Sequence, residues 1–116
     1  MGPLKDITVI EFSGIGPGPY CGMLLADLGA DVIRVSRKDA QGLDNKYDIH
    51  NRSKRSITAD LKNKESVDEL LKLVAQVDVV FEGFRPGVME KLGIGPDDCL
   101  KVNPKLVYGR MTGWGQ

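Results

Sequence analysis

The sequence predicts an α/β fold, a parallel sheet with helices on both faces. Three observations lead there. Apolar, β-branched runs alternate with helical stretches along the whole chain. The run from Val77 to Phe81 is apolar without a break, as in a strand covered on both sides. A glycine- and proline-rich turn, Gly14-Ile15-Gly16-Pro17-Gly18-Pro19, joins a strand to a helix.

The first strand is read at residues 7–12, where Ile, Thr, Val, Ile and Phe supply strand-forming side chains. Pro19 suits a first helical position, because its missing amide would have no helical partner. Helix one therefore spans about 19–28, with Cys21, Leu24, Leu25 and Leu28 at helical spacing and Gly29 as its stop. Strand two covers 31–36. Residues 38–53 are polar and read as a loop. Residues 55–60 read as a short strand or extended segment. Asn63 can cap a helix over 64–76, whose Val67, Leu70, Leu71 and Val74 make one apolar stripe. After the strand at 77–81, Pro86 opens a short helix that Gly93 ends. Pro96, followed by Asp97 and Asp98, opens another that stops before Asn103-Pro104. The last strand is read at 106–111. Crossovers between the strands are expected to be right-handed.

The 116 residues carry 16 Lys/Arg and 16 Asp/Glu, so the balance gives no reason to expect nucleic acid or a membrane surface as partner. The distribution is less even. From Arg34 to Lys64 nine cations stand against four carboxylates. This excess suits a small polyanion, and equally a solvated loop. The two cysteines, Cys21 and Cys99, lack metal-ligand spacing and read as reduced, half-buried thiols on helices. No secretory signal or membrane-length apolar run is visible, and a cytoplasmic location is expected.

The glycine-rich turn offers bare backbone, free amides and a helix N-terminus, which favour anions. It is not the dinucleotide fingerprint, since the third glycine comes one residue early and Pro19 holds the final position. It is not a phosphate loop either, because no Gly-Lys-Ser/Thr follows. After strand two an NAD site would want a carboxylate for the ribose hydroxyls. Here Ser36 and Arg37 follow, with Lys38 beside them. A cation there suits a ribose phosphate, as in NADP or the 3′-phospho-ADP part of coenzyme A. A structural turn with a solvated arginine is the plainer alternative.

Further arginines are read as following strands or turns: Arg52 with Arg55, and Arg85. The guanidinium fork matches phosphate. Lys62 adds a charge beside Ala59-Asp60-Leu61, whose backbone could pair with an adenine edge. Each cation alone reads as a surface charge; their placement raises the joint case. His50, the sole histidine, lies in a polar loop and reads as solvent-exposed. Glu11 and Glu82 stand at strand ends and could be site carboxylates, with ion pairing to a nearby arginine the expected role. Trp114 reads as a packing or pocket-wall residue. No metal site is evident.

Several stretches together resemble the family III CoA-transferase and racemase (CaiB/BaiF) group. They are Glu11–Pro19, Leu25–Val35, Asn51–Ile57, Glu82–Glu90 and Arg110–Gln116, in order over essentially the whole chain. The Gly-Ile-Gly-Pro-Gly-Pro turn and Arg34 are most similar to its α-methylacyl-CoA racemase branch. The resemblance implies a Rossmann-like large domain, of which residues 1–116 form the N-terminal coenzyme A-binding portion. It also implies an interlocked homodimer and an acyl-CoA thioester as substrate, with coenzyme A part of that substrate and no separate cofactor. Carried over by position, Arg37 would hold a coenzyme A phosphate, Ala59, Asp60, Leu61 and Lys62 would line the adenosine portion, and Arg85 would be a further phosphate contact. The group's catalytic histidine and aspartate fall beyond Gly113-Trp114-Gly115-Gln116, and His50 does not match that histidine. No catalytic residue is therefore assigned, and the chain alone is expected to bind rather than turn over. The implied reaction is racemisation at C2 of a 2-methylacyl-CoA. A family III transferase reaction and a non-catalytic binding fragment are the alternatives.

Overall fold

The computed structural model describes residues 2–37 and 49–115. Among these residues five strands form one sheet in the order β3-β2-β1-β4-β5, every pair parallel. The elements in chain order are β1 (Thr8–Phe12), α1 (Pro17–Asp27), β2 (Asp31–Ser36), a 3-10 turn (Ile49–Asn51), β3 (Arg55–Thr58) and α2 (Lys64–Val74). They continue with β4 (Val79–Glu82), α3 (Val88–Lys91), α4 (Pro96–Val102) and β5 (Val107–Arg110).

Side-chain alternation along β1 divides the core into two layers. Ile10 and Phe12 point to one face, where they meet Val67, Leu70 and Val74 of α2, Met89 of α3 and Cys99 of α4. Val9 points to the other face and packs with Ala26 of α1, Val32 and Phe81. The expected helices on both faces are therefore present, with α1 alone on one side.

α2 begins as its sequence dictates. The Asn63 side chain accepts the amides of Glu65 and Ser66 at 2.9 and 3.3 Å. Its far end is held by Asn103, whose side-chain amide donates to the Val74 and Val77 carbonyls at 2.9 and 2.7 Å.

α1 starts two residues earlier than the sequence suggested. Gly16 adopts φ 78° and serves as the N-cap, so Pro17 is the first helical residue. Pro19 still falls within the first turn, where a missing amide costs nothing. The consequence is chemical: two of the first three helical positions lack an N–H, which weakens the expected anion site at this turn.

Two other boundaries shift. α3 begins at Val88, not Pro86, because Gly87 takes the left-handed φ of 87° first. β4 begins at Val79, since Asp78 exchanges bonds with Thr8: its carboxylate accepts the Thr8 amide at 2.9 Å and its own amide donates to the Thr8 carbonyl at 3.0 Å. The part of the expected loop from 38 to 48 lies outside the described residues.

Candidate functional site

In this strand order the chain leaves β1 toward β2 and β3, then returns to the other side as β4 and β5. Ligands of such sheets gather at the carboxyl ends of the strands. Arg37 follows the last residue of β2, and Ala59 to Lys62 follow β3. The Ala59 amide donates to the Ser36 carbonyl at 3.0 Å, which extends the β2–β3 pairing and draws the segment beside Arg37.

These residues meet in one cavity of about 360 Å³. Arg37 and the run Ala59–Lys62 form one side, and Val88 and Leu92 of the α3 region form the other. Five of the six residues singled out in the sequence thus share a single site. Within it, the Asp60 carboxylate accepts the Lys62 amide at 3.0 Å and the Asp60 carbonyl accepts the Asn63 amide at 3.1 Å, so the run turns in a fixed way into α2. Leu61 is buried and roots the run in the core. The Arg37 guanidinium lies 5.7 Å from the centre of the Phe84 ring, a cation–π contact that orients the fork without using its donors.

Arg85 does not line this cavity; it is exposed in the turn before α3, where its carbonyl accepts the Val88 amide at 3.1 Å. Arg52 and Arg55 are engaged by carboxylates. Arg52 pairs with Asp27 through two nitrogens, and holds that carboxyl below its usual range. Arg55 pairs likewise with Asp31, at the beginnings of β3 and β2, away from the carboxyl ends. Both are thus removed from the phosphate-binding candidates. A larger cavity, of about 570 Å³, lies between β3 and α2, but Glu65, Asp68 and Glu69 line it and would repel a polyphosphate.

The two strand-end glutamates are buried. Glu11 pairs with Lys54, whose ammonium lies 2.8 Å from Oε1 and also donates to the Pro19 carbonyl at 3.0 Å. Sequence reasoning missed Lys54 because nothing local marks a lysine for burial. Glu82 lies 3.6 Å from Arg110. Burial pushes its carboxyl up from the usual range, and Arg110 partly offsets this.

Three other expectations are corrected. His50 is half-buried, edge-on to the Tyr20 ring at 6.1 Å, because the 3-10 turn packs on α1. Trp114 is fully exposed, since no described element covers the turn after β5. Cys99 is fully buried rather than half-buried, and desolvation pushes its thiol up to about 12. Among the described residues no cluster could hold a metal ion, and no helix is long and apolar enough to cross a membrane.

Comparison with known proteins gives the family and the fold. The α-methylacyl-CoA racemase of Mus musculus is 47% identical over 113 residues, covering 97% of this chain and 29% of the racemase. The Homo sapiens racemase is 45% identical over 115 residues, with the same coverage of 97% and 29%. The chain therefore spans less than a third of the length of these relatives. The crystal structure of Rv3272 from Mycobacterium tuberculosis superposes with a TM-score of 0.92 at 42% identity, covering 99% of this chain and 33% of that one. Rv3272 is described as a probable fatty acyl-CoA transferase. The family model for CoA-transferase family III matches residues 4–116. Sequence and superposition thus converge, and the chain belongs to CoA-transferase family III.

Proposed function

We propose that this chain is the coenzyme A-binding part of an acyl-CoA racemase acting at C2 of 2-methylacyl-CoA thioesters. The observation that carries the reading is the meeting of Arg37 with Ala59–Lys62 in one cavity at the carboxyl end of the sheet. The Arg37 fork would take the 3′-phosphate of the nucleotide. The Ala59–Lys62 backbone would face the adenine edge, with Val88 and Leu92 against the ring. The racemase branch is favoured over the transferase branch by identity, 47% and 45% against 39% for Rv3272.

Racemisation removes the C2 proton and returns one on the opposite face. The thioester makes this possible, because the enolate spreads its charge onto the carbonyl oxygen. The reaction needs a base on one side and an acid on the other, with donors for that oxygen. Among the described residues the cavity brings together no such pair: Asp60, the carboxylate that lines it, holds the Lys62 amide. This chain anchors the remote end of the substrate, and that binding orients the reacting centre. The acid and base are supplied outside these residues.

Ligand protection tests the reading. Coenzyme A is expected to raise the melting temperature of the chain more than 3′-dephospho-coenzyme A does, and Arg37→Ala is expected to narrow the gap. Equal protection by both ligands would remove Arg37 from the phosphate role. Deuterium incorporation at C2 of a 2-methylacyl-CoA by the chain alone is expected to be absent; its detection would mean that the acid and base lie within it.

A further inference from the structure

α3 is a single helical turn, too short to hold its own shape in water. The chain enters it through Gly87 at φ 87° and leaves it near Gly93 at φ 78°. Its side chains divide by direction. Met89 is fully buried in the core. Val88 and Leu92, four residues apart and so on one face, line the cavity. Glu90 lies between them in sequence and points elsewhere: its Oε1 accepts from the Arg110 guanidinium at 2.5 Å.

Arg110 is the last residue of β5, a fixed point on the sheet. Beneath it lies Glu82, the last residue of β4, fully buried and without a hydrogen-bond partner on either oxygen. The guanidinium lies 3.6 Å from Glu82 and 5.9 Å from the centre of the Tyr108 ring. Arg110 is therefore held from the sheet side by a buried charge and a ring, and it reaches outward to one residue of α3. An ion pair on open surface would be worth little. This one is anchored at its inner end, and its outer end sits on a short helix that Met89 roots in the core, where the tether adds a second restraint on another flank.

We infer that Arg110 is a positioning residue: through Glu90 it sets the rotation of α3 and holds Val88 and Leu92 against the bound nucleotide. The inference rests on the coenzyme A reading of the cavity. It differs from the role of Arg37 in what it discriminates. Arg37 reads one phosphate, whereas the α3 wall faces the adenosine body common to coenzyme A and its dephosphorylated form. Loss of the tether should weaken both ligands alike.

The test compares the chain with its Glu90→Gln, Arg110→Met and Arg110→Lys variants by calorimetric titration with coenzyme A and with dephospho-coenzyme A. Glu90→Gln and Arg110→Met are expected to weaken both ligands by about fivefold or more, about 1 kcal/mol, with Arg110→Lys nearer the parent. Amide hydrogen exchange over residues 88–93, without ligand, reads the tether itself and should quicken in Glu90→Gln. Glu90 is nearly half exposed, so that variant should fold even if Arg110→Met does not. A folded Glu90→Gln chain that binds coenzyme A as tightly as the parent would overturn the inference, as would unchanged exchange. A parent chain that fails to bind coenzyme A would instead sink the reading of the cavity, while the exchange experiment would still judge the tether.

Discussion

Gly22 of α1 has no room for a Cβ, because Oε1 of Glu11 on β1 occupies that space and the Lys54 ammonium lies 3.0 Å away. Glycine inside a helix costs about 1 kcal/mol relative to alanine. Here it creates the gap in which a carboxylate and an ammonium meet, each side chain only 1% exposed.

Gly22→Ala is therefore expected to destabilise the protein, although alanine is the better helix former. Crowding of this kind costs about 1–3 kcal/mol. Urea denaturation checks it; a midpoint at or above that of the parent would show that α1 lifts freely off β1.

Lys54→Met should cost more. It breaks the buried Glu11–Lys54 pair, a change worth about 3–5 kcal/mol. The double variant Glu11→Leu with Lys54→Met replaces the whole pair by apolar side chains and should recover part of the loss. A double variant as unstable as Lys54→Met alone would mean that packing, rather than the broken ion pair, sets the cost.

The Glu82 carboxyl is raised from the ordinary 4.5 by burial, with Arg110 acting against the shift. A raised folded-state value stabilises the fold while the group is protonated and is lost as pH climbs through that value. Glu82→Gln stays neutral throughout. The stability of the variant relative to the parent should therefore grow as pH rises above the ordinary carboxylate range toward the raised folded-state value. A difference that does not vary with pH would show that Glu82 titrates normally.

Arg37→Lys keeps the charge but loses the fork and its seat over Phe84. If Arg37→Ala reduces the preference for coenzyme A over its dephospho form by about tenfold, lysine should restore only part of it. Full recovery would show that a point charge suffices.

The sheet could be read in the chain because it rests on local signals. Runs such as Val32-Ile33 and Val79-Val80-Phe81 mark strands by composition, and Asn63 marks a helix start by its own side chain. The family resemblance joined Arg37 to Ala59–Lys62, and the sheet shows why they meet: each follows one of two neighbouring parallel strands. The arginines could not be sorted that way. Arg55 looks like Arg37 in sequence, yet it starts its strand, and pairing of β2 with β3 sets it near Asp31. That difference depends on register, which no local pattern reports. Lys54 was hidden for a similar reason: its partners, Glu11 and Pro19, are 43 and 35 residues away.

The position of that lysine has a mechanical meaning. Glu11 belongs to β1, Pro19 to α1, and Lys54 to the approach to β3, so one ammonium rivets three pieces from distant parts of the chain. None can peel away singly without breaking a bond to that ammonium. The exposed Gly14–Pro17 stretch is thus moored at its base, and whatever swing it has ends at Pro19.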